Sequence, residues 1–362
     1  MSGRIRVLVV DDSSLVRKII TDILEKDPLI KVIGTASDGE EAVRLAAELD
    51  PDVITMDIEM PVLDGLTALK RIISTHPKPV VMLSVFTQHG AEETFKALEY
   101  GAVDFVPKPS SLISMTVGEI GDQLRSKVKS AAMSRVLAGS SIALDAREGI
   151  KKKPERETEV QRVFHRGSES TKVVGIGTST GGPAALVKVF SSIPANFPSP
   201  ILVVQHMPEG FTKAFAERLN GLSAIQVKEA EDMDPLMPGW GYIAPGNKHI
   251  AVEEKNRKRY VRVFTGEKVS GHRPSIDVLF NSLAVMIGKD TLAVIMTGMG
   301  RDGAEGILRI REAGGITIAQ DEETSIVYGM NRVAVEKGAI QGRIIDHQDP
   351  NATRHETSCA QQ

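Results

Sequence analysis

At 362 residues the chain is too long for one ordinary hydrophobic core, so two domains joined by a linker are expected. Its 41% hydrophobic and 25% charged residues are those of a globular protein, and a net charge of −3 gives no reason to expect nucleic acid or an anionic membrane as partner. The single cysteine, Cys359, sits in a polar tail; that excludes an intrachain disulfide and suits a reducing cytoplasm. No apolar run approaches the length of a membrane span, so no membrane insertion is expected. The first run, Ile5–Val10, stops at Asp11-Asp12 and is too short for the core of a secretion signal.

From Arg4 to about Ser110, short apolar runs alternate with segments of helical period. The runs are 5–10, 30–36, 52–56, 79–84 and 102–106; between them, residues such as Leu15, Ile19 and Ile23 recur at four-residue spacing. Five such βα units predict a doubly wound parallel sheet, in which sites form at the carboxyl ends of strands. Those ends are Asp11-Asp12, Asp57, Ser84-Val85 and Pro107-Lys108-Pro109. One aspartate after a strand is ordinarily a helix cap, but three carboxylates and a lysine on one edge are another matter. Like charges so placed call for a cation, and an oxygen-only donor set suits Mg²⁺.

This half resembles the receiver domain of two-component response regulators over essentially its whole length. The resemblance implies a flavodoxin-like fold, Asp57 as phosphoacceptor, Asp11 and Asp12 with Asp57 as holders of Mg²⁺, and Ser84 and Lys108 as contacts of the phosphoryl group. It also implies Phe105 as the switch aromatic and a cis peptide bond before Pro109.

Residues 113–137 read as a helix with one apolar face. Periodicity then vanishes among Lys151-Lys152-Lys153-Pro154, mixed charges and Gly167–Ser170, the composition of a mobile tether. The expected division is a receiver at 1–125, a helix end and charged linker at 126–170, a second domain at 171–346 and a polar tail at 347–362.

From Thr171 the βα rhythm returns, with strand-like runs at 172–177, 200–205, 241–245, 291–296 and 315–320. Segments 183–190, 210–220, 275–287 and 303–313 read as helices, and 249–252 with 260–264 as a hairpin. A second α/β domain with a mostly parallel sheet follows. Its first strand runs into Gly177-Thr178-Ser179-Thr180-Gly181, which matches the G-x-S-x-G pattern of a nucleophile on a sharp strand-to-helix turn. The same glycines also fit a phosphate-cradling loop.

The other strand ends discriminate. The run 200–205 stops at His206 and the run 291–296 leads to Asp302, so a serine, a histidine and an aspartate each lie just past a buried strand. If those strands are neighbours, a hydroxyl, a base and a carboxylate to orient it converge, the parts that acyl transfer needs. His249 and His272 are weaker candidates for the base, since neither directly follows an apolar strand. Asp302 is also a possible cap for the helix that starts at Gly303. Backbone amides of Thr180 and Met299 are placed to form an oxyanion hole. The chain order Ser–His–Asp disfavours an ordinary α/β-hydrolase, whose order is Ser–Asp/Glu–His.

The segments GTSTGGP, QHMP, APGNKH, GHRPSIDVLF and TGMGRDGAEG together resemble the catalytic domain of the chemotaxis protein-glutamate methylesterases, the CheB family. That resemblance implies hydrolysis of glutamate methyl esters, and deamidation of specific glutamines, on cytoplasmic helices of methyl-accepting chemoreceptors. It assigns Ser179 as nucleophile, His206 as general base and acid and Asp302 as its partner, with no cofactor at the esterase site. A chemotaxis histidine kinase is the implied phosphodonor, and His272 and Arg273 are candidate substrate contacts. Two rival outputs remain. A nucleotide-binding domain would lack the Walker lysine, and a DNA-binding domain would need a basic helix-turn-helix where the pattern is α/β.

Overall fold

The computed structural model describes residues 3–85, 88–108, 119–134 and 172–344. Pro109, the charged linker and the polar tail of the sequence reading lie outside the described residues.

The first half is a five-stranded parallel sheet in the order β2-β1-β3-β4-β5, made of β1 (Ile5–Val10), β2 (Ile30–Ala36), β3 (Val53–Asp57), β4 (Val80–Val85) and β5 (Asp104–Lys108). Helices α1 (Ser14–Leu24), α2 (Gly39–Leu49), α3 (Gly65–Thr75) and α4 (Gln88–Glu99) connect them, and α5 (Glu119–Ala132) packs back on β5 and α1. Three helices start where the sequence offers a cap. Ser13, Asp38 and Asp64 accept from the amides of Val16, Glu41 and Thr67, which satisfies donors that the first turn leaves free. The central strands are apolar on both faces because helices cover both, as a parallel sheet requires.

The second half holds a seven-stranded sheet in the order β15-β14-β13-β6-β7-β10-β8, parallel at every pairing. Its strands are β6 (Val173–Thr178), β7 (Ile201–Gln205), β8 (Gln226–Glu229), β10 (Trp240–Ile243), β13 (Thr291–Ile295), β14 (Ile316–Gln320) and β15 (Gly342–Ile344). Helices α6 (Gly182–Ser192), α7 (Phe211–Leu222), α8 (Ile276–Met286), α9 (Ala304–Glu312) and α10 (Met330–Glu336) flank it. The expected hairpin is present as β11 (His249–Lys255) and β12 (Lys258–Phe264), extended by β9 (Asp234–Pro235) into a small antiparallel sheet. Strand β6 lies at the centre, with β7 on one side and β13 on the other. The chain order reverses there, so the carboxyl ends of β6, β7 and β13 form a crevice within two strand spacings, or roughly 10 Å.

The two halves share one apolar cluster. Phe95 packs against Phe215 (ring centroids 5.4 Å apart) and Phe105 against Phe211 (4.7 Å), both pairs tilted, and all four rings are buried. Each such pair contributes about 0.5–1.5 kcal/mol beyond the area it buries, so this contact is a packed interface rather than a chance approach. Glu99 and Arg218 pair across it.

Candidate active site

Ser179 follows β6 on a turn laced to both neighbouring strands. Its amide donates to the Thr297 carbonyl (3.0 Å), its carbonyl accepts from Gln205 Nε2 (3.0 Å), and the His206 amide donates to the Thr178 carbonyl (3.1 Å). The glycines of this region serve close packing. A Cβ on Gly182 would lie 2.0 Å from Gln205 Oε1, and one on Gly298 would lie 2.7 Å from the Ser179 Cβ. The loops that carry Ser179, His206 and Asp302 end in Gly181, Gly210 and Gly303, all at positive φ, where helices α6, α7 and α9 begin without a side-chain cap. Loop-to-loop contact thus accounts for the glycines, and the nucleotide-binding alternative is not favoured.

His206 Nε2 lies 2.8 Å from Asp302 Oδ2, with both side chains buried. This contact fixes the ring: Nε2 carries hydrogen toward the carboxylate, and Nδ1 is buried and without a partner among the described residues. Asp302 does not cap its own helix, where Gly303 is the cap residue. It caps α8 instead. Its oxygens accept from the amides of Ile276 (2.8 Å) and Asp277 (3.1 Å) and from the Ser275 hydroxyl (2.8 Å). Burial alone would raise this carboxyl, but the hydrogen bond and charge of His206, the Ile276 amide and Ser275 outweigh it and bring it down to about 2. The next turn repeats the device, with Asp277 accepting from the Gly306 amide (2.7 Å) at the start of α9.

A cavity of about 680 Å³ opens over these residues and is lined by Ser179, Thr180, His206, His272, Arg273 and Met299. Among the described residues, the Thr180 and Met299 amides donate to no acceptor, as an oxyanion hole requires. His272 stacks flat on His206, with ring centroids 3.8 Å apart and 6° between planes. Arg273 is committed to holding loops: it donates to Asn247 Oδ1 (2.6 and 3.0 Å) and to the Gly266 carbonyl (2.6 Å). His249 is structural. It accepts the Ser275 amide on Nδ1 (3.2 Å), so its Nε2 hydrogen goes to the Glu267 carbonyl (2.9 Å).

The cavity's far wall belongs to the first half, through Asp122, Gln123, Ser126, Lys127 and Ser130 of α5. Ser130 Oγ lies 2.8 Å from the Met299 sulfur. Asp104 Oδ2 accepts from the Thr180 hydroxyl (2.7 Å), while Asp104 Oδ1 pairs with Lys127 (2.5 Å).

In the first half, the Asp11, Asp12 and Asp57 carboxylates have oxygens within 4.8 Å of one another. Lys108 bridges Asp11 (2.6 Å) and Asp57 (2.7 Å). Burial raises the Asp57 carboxyl to about 6, Lys108 opposing this and Asp11 adding to it. Three carboxylates facing one ammonium group leave net negative charge and an all-oxygen donor set, which fits a small divalent cation. Ser84 is buried and turned to α4, its hydroxyl donating to the Gly90 carbonyl (3.1 Å) and accepting from Thr94 (2.6 Å).

Sequence reasoning passed over Gln205, Ser275, Asp277 and Thr297, whose side chains tie the loops together by hydrogen bonds. The detectable signal was an acid in the first turn of α8, at Asp277.

A receiver with a carboxylate cluster, joined to an α/β domain with serine, histidine and aspartate at its switch point, defines a response regulator whose output is a hydrolase. Family comparison agrees with both halves. Residues 7–117 match the response regulator receiver domain, and residues 174–350 match the CheB methylesterase. The protein-glutamate methylesterase/protein-glutamine glutaminase of Pyrococcus abyssi is 45% identical over 94% of this chain and 90% of its own length. That of the group 3 operon of Rhodopseudomonas palustris is 47% identical over 96% and 94%. The crystal structure of the Thermotoga maritima CheB methylesterase catalytic domain covers 48% of this chain and 91% of its own at 43% identity, with a TM-score of 0.47. The chain belongs to the receiver-linked CheB family of protein-glutamate methylesterases/protein-glutamine glutaminases.

Proposed function

We propose that this protein works in the cytoplasm, hydrolysing glutamate methyl esters and deamidating glutamines on the cytoplasmic helices of chemoreceptors, with Ser179, His206 and Asp302 as its triad. The observation that carries the reading is that these residues lie in the loops that follow three adjacent strands, with His206 oriented by an anchored carboxylate. His206 Nδ1 takes the Ser179 proton as Oγ attacks the ester carbonyl, and the oxyanion meets the Thr180 and Met299 amides. The C–O bond to the leaving group then breaks, His206 returns the proton, and methanol departs. Water, deprotonated by the same nitrogen, releases the glutamate. With a glutamine the leaving group is ammonia. A serine-directed fluorophosphonate should label Ser179, and membranes holding methylated receptor should release methanol; an unlabelled, inactive protein would refute the reading.

Asp57 is the proposed phosphoacceptor, served by a chemotaxis histidine kinase, with Asp11, Asp12 and Asp57 holding Mg²⁺. That ion would offset the carboxylates and the phosphoryl oxygens. Lys108 neutralises the added charge, and Ser84 is the hydroxyl that moves to the phosphoryl group. A single strand links this chemistry to the esterase. Lys108 ends β5, while Phe105 and Asp104 at its start touch Phe211 and Thr180. With Asp104 in place, a carboxylate sits beside the oxyanion donor and α5 walls the cavity, so the unphosphorylated enzyme is held back. A small phosphodonor should raise the wild-type rate by roughly 5- to 150-fold, the range of a coupling free energy of about 1–3 kcal/mol. Asp57→Asn should not respond, and Asp104→Asn should start from a higher basal rate. Equal rates for wild type and Asp57→Asn, with and without the donor, would end this account.

A further inference from the structure

Asp302 fixes one edge of the His206 ring, through a single hydrogen bond. A ring held at one point still swings about that contact, and general-base catalysis by Nδ1 needs the opposite edge held as well. The structure supplies a second restraint in His272, whose ring lies 3.8 Å from that of His206 and within 6° of parallel. We propose that His272 is a positioning residue, its ring a flat platform that holds the His206 imidazole with Nε2 on Asp302 and Nδ1 free for Ser179. This rests on the esterase reading of the site.

Three observations support a built platform. First, His272 is delivered by a tight two-residue turn. Ser270 and Gly271 both have positive φ (53° and 82°), and Val269 and His272 exchange both backbone hydrogen bonds (2.9 and 3.1 Å). This is the backbone of a primed hairpin turn, which fixes the direction of the residue that follows it. Second, the adjacent Arg273 locks that turn to Asn247 and Gly266, so the platform cannot drift from the loops that carry it. Third, the stack favours the charge that catalysis creates. When His206 accepts the serine proton, its imidazolium lies over the π face of its neighbour, a favourable arrangement only while that neighbour is uncharged.

The surroundings keep His272 uncharged. Burial, the charge of His206, and Lys127 from α5 with Lys268 from its own loop all disfavour its protonation, opposed by Asp302; the net result is a fall to about 3. Across the pH range in which an esterase works, His272 is therefore a neutral ring, and proton transfer is not its task. A substrate contact or a second base at this position would depend on its nitrogens. A platform depends only on its shape.

That difference sets the test. In the full-length protein, with phosphodonor present, His272→Phe keeps a flat ring and His272→Ala removes it. The rate of fluorophosphonate labelling at Ser179 reads activation of the nucleophile without any receptor, and methanol release gives kcat and KM. We expect His272→Ala to lose about 10- to 100-fold in labelling rate and kcat with KM little changed, the scale of effect that a misplaced catalytic group produces. His272→Phe should keep labelling and kcat within about threefold of wild type, and the acid limb of its pH profile should not move, because the residue replaced is already neutral there. His272→Ala at the wild-type rate would overturn the proposal, as would His272→Phe losing as much as His272→Ala, or a rise in KM alone. A wild-type protein that neither labels nor releases methanol would instead refute the esterase reading, so the two failures are distinct. Thermal melts of both variants separate misplacement from unfolding.

Discussion

Ser179→Ala should lower methanol release by roughly 10⁴-fold or more while the protein stays folded. The reason for the asymmetry lies in which atoms of Ser179 do what. Its amide and carbonyl tie β6 to β7 and β13, through Thr297 and Gln205, and alanine keeps both. The substitution removes only the hydroxyl and leaves these backbone ties intact, so it should change stability by less than about 0.5 kcal/mol. On the proposed mechanism, what disappears is the covalent intermediate, and with it the task of His206. Fluorophosphonate labelling should vanish together with methanol release, while the melting temperature stays within a degree or two of wild type. Retained hydrolysis in a folded Ser179→Ala variant would show that the glycine-rich turn serves another chemistry.

The sequence and the structure agree where local pattern decides the outcome. Buried parallel strands read as apolar runs because both faces are covered, so β1, β3, β6, β7 and β13 were legible, and so were the residues at their carboxyl ends. The strands that escaped notice lie at the margins: Gln226–Glu229 and Gly342–Ile344 are the two edges of the seven-stranded sheet, Asp234–Pro235 is an edge of the small antiparallel sheet, and none has a continuous apolar run to announce it. Helix Glu119–Ala132 was legible as amphipathic, but not the fact that its far side walls the esterase cavity. That depends on how two domains dock, through Phe105 on Phe211 and Phe95 on Phe215, and each of these reads alone as an ordinary core residue. The order of β13, β6 and β7 was equally hidden, since strand order is decided by crossovers and not by composition. His272 shows the limit most clearly. A loop histidine carries no periodic signal, and only the folded turn lays it against His206.

Asp302→Asn should cost activity on the order of 10⁴-fold and stability as well, for reasons that can be separated by pH. Four donors converge on the two oxygens of Asp302: His206 Nε2, the Ile276 and Asp277 amides, and the Ser275 hydroxyl. An asparagine has one acceptor oxygen and brings an NH₂ group into this ring of donors. If the NH₂ faces the Asp277 amide, a buried N–H is left unpaired at a cost of about 1–3 kcal/mol. If it faces His206, Nε2 must become the acceptor, the ring hydrogen moves to Nδ1, and the base is blocked. The pH dependence follows from the sign of the Asp302 shift. Its folded carboxyl titrates near 2, below the ordinary 3.8, so its stabilising contribution is fully present above the ordinary value and is lost as pH falls toward 2. That shift corresponds to about 2 kcal/mol. Asp277 is raised by burial and by the charge of Asp302, so it titrates in the opposite sense, and only the difference between wild type and Asp302→Asn isolates the anchor. The stability gap between them should be widest near neutral pH and should narrow as the solution is acidified below about pH 4. A gap that holds constant through acidification would mean that packing, not the carboxylate's charge, secures this corner of the site. Activity within tenfold of wild type would mean that His206 does not need Asp302 to hold its tautomer.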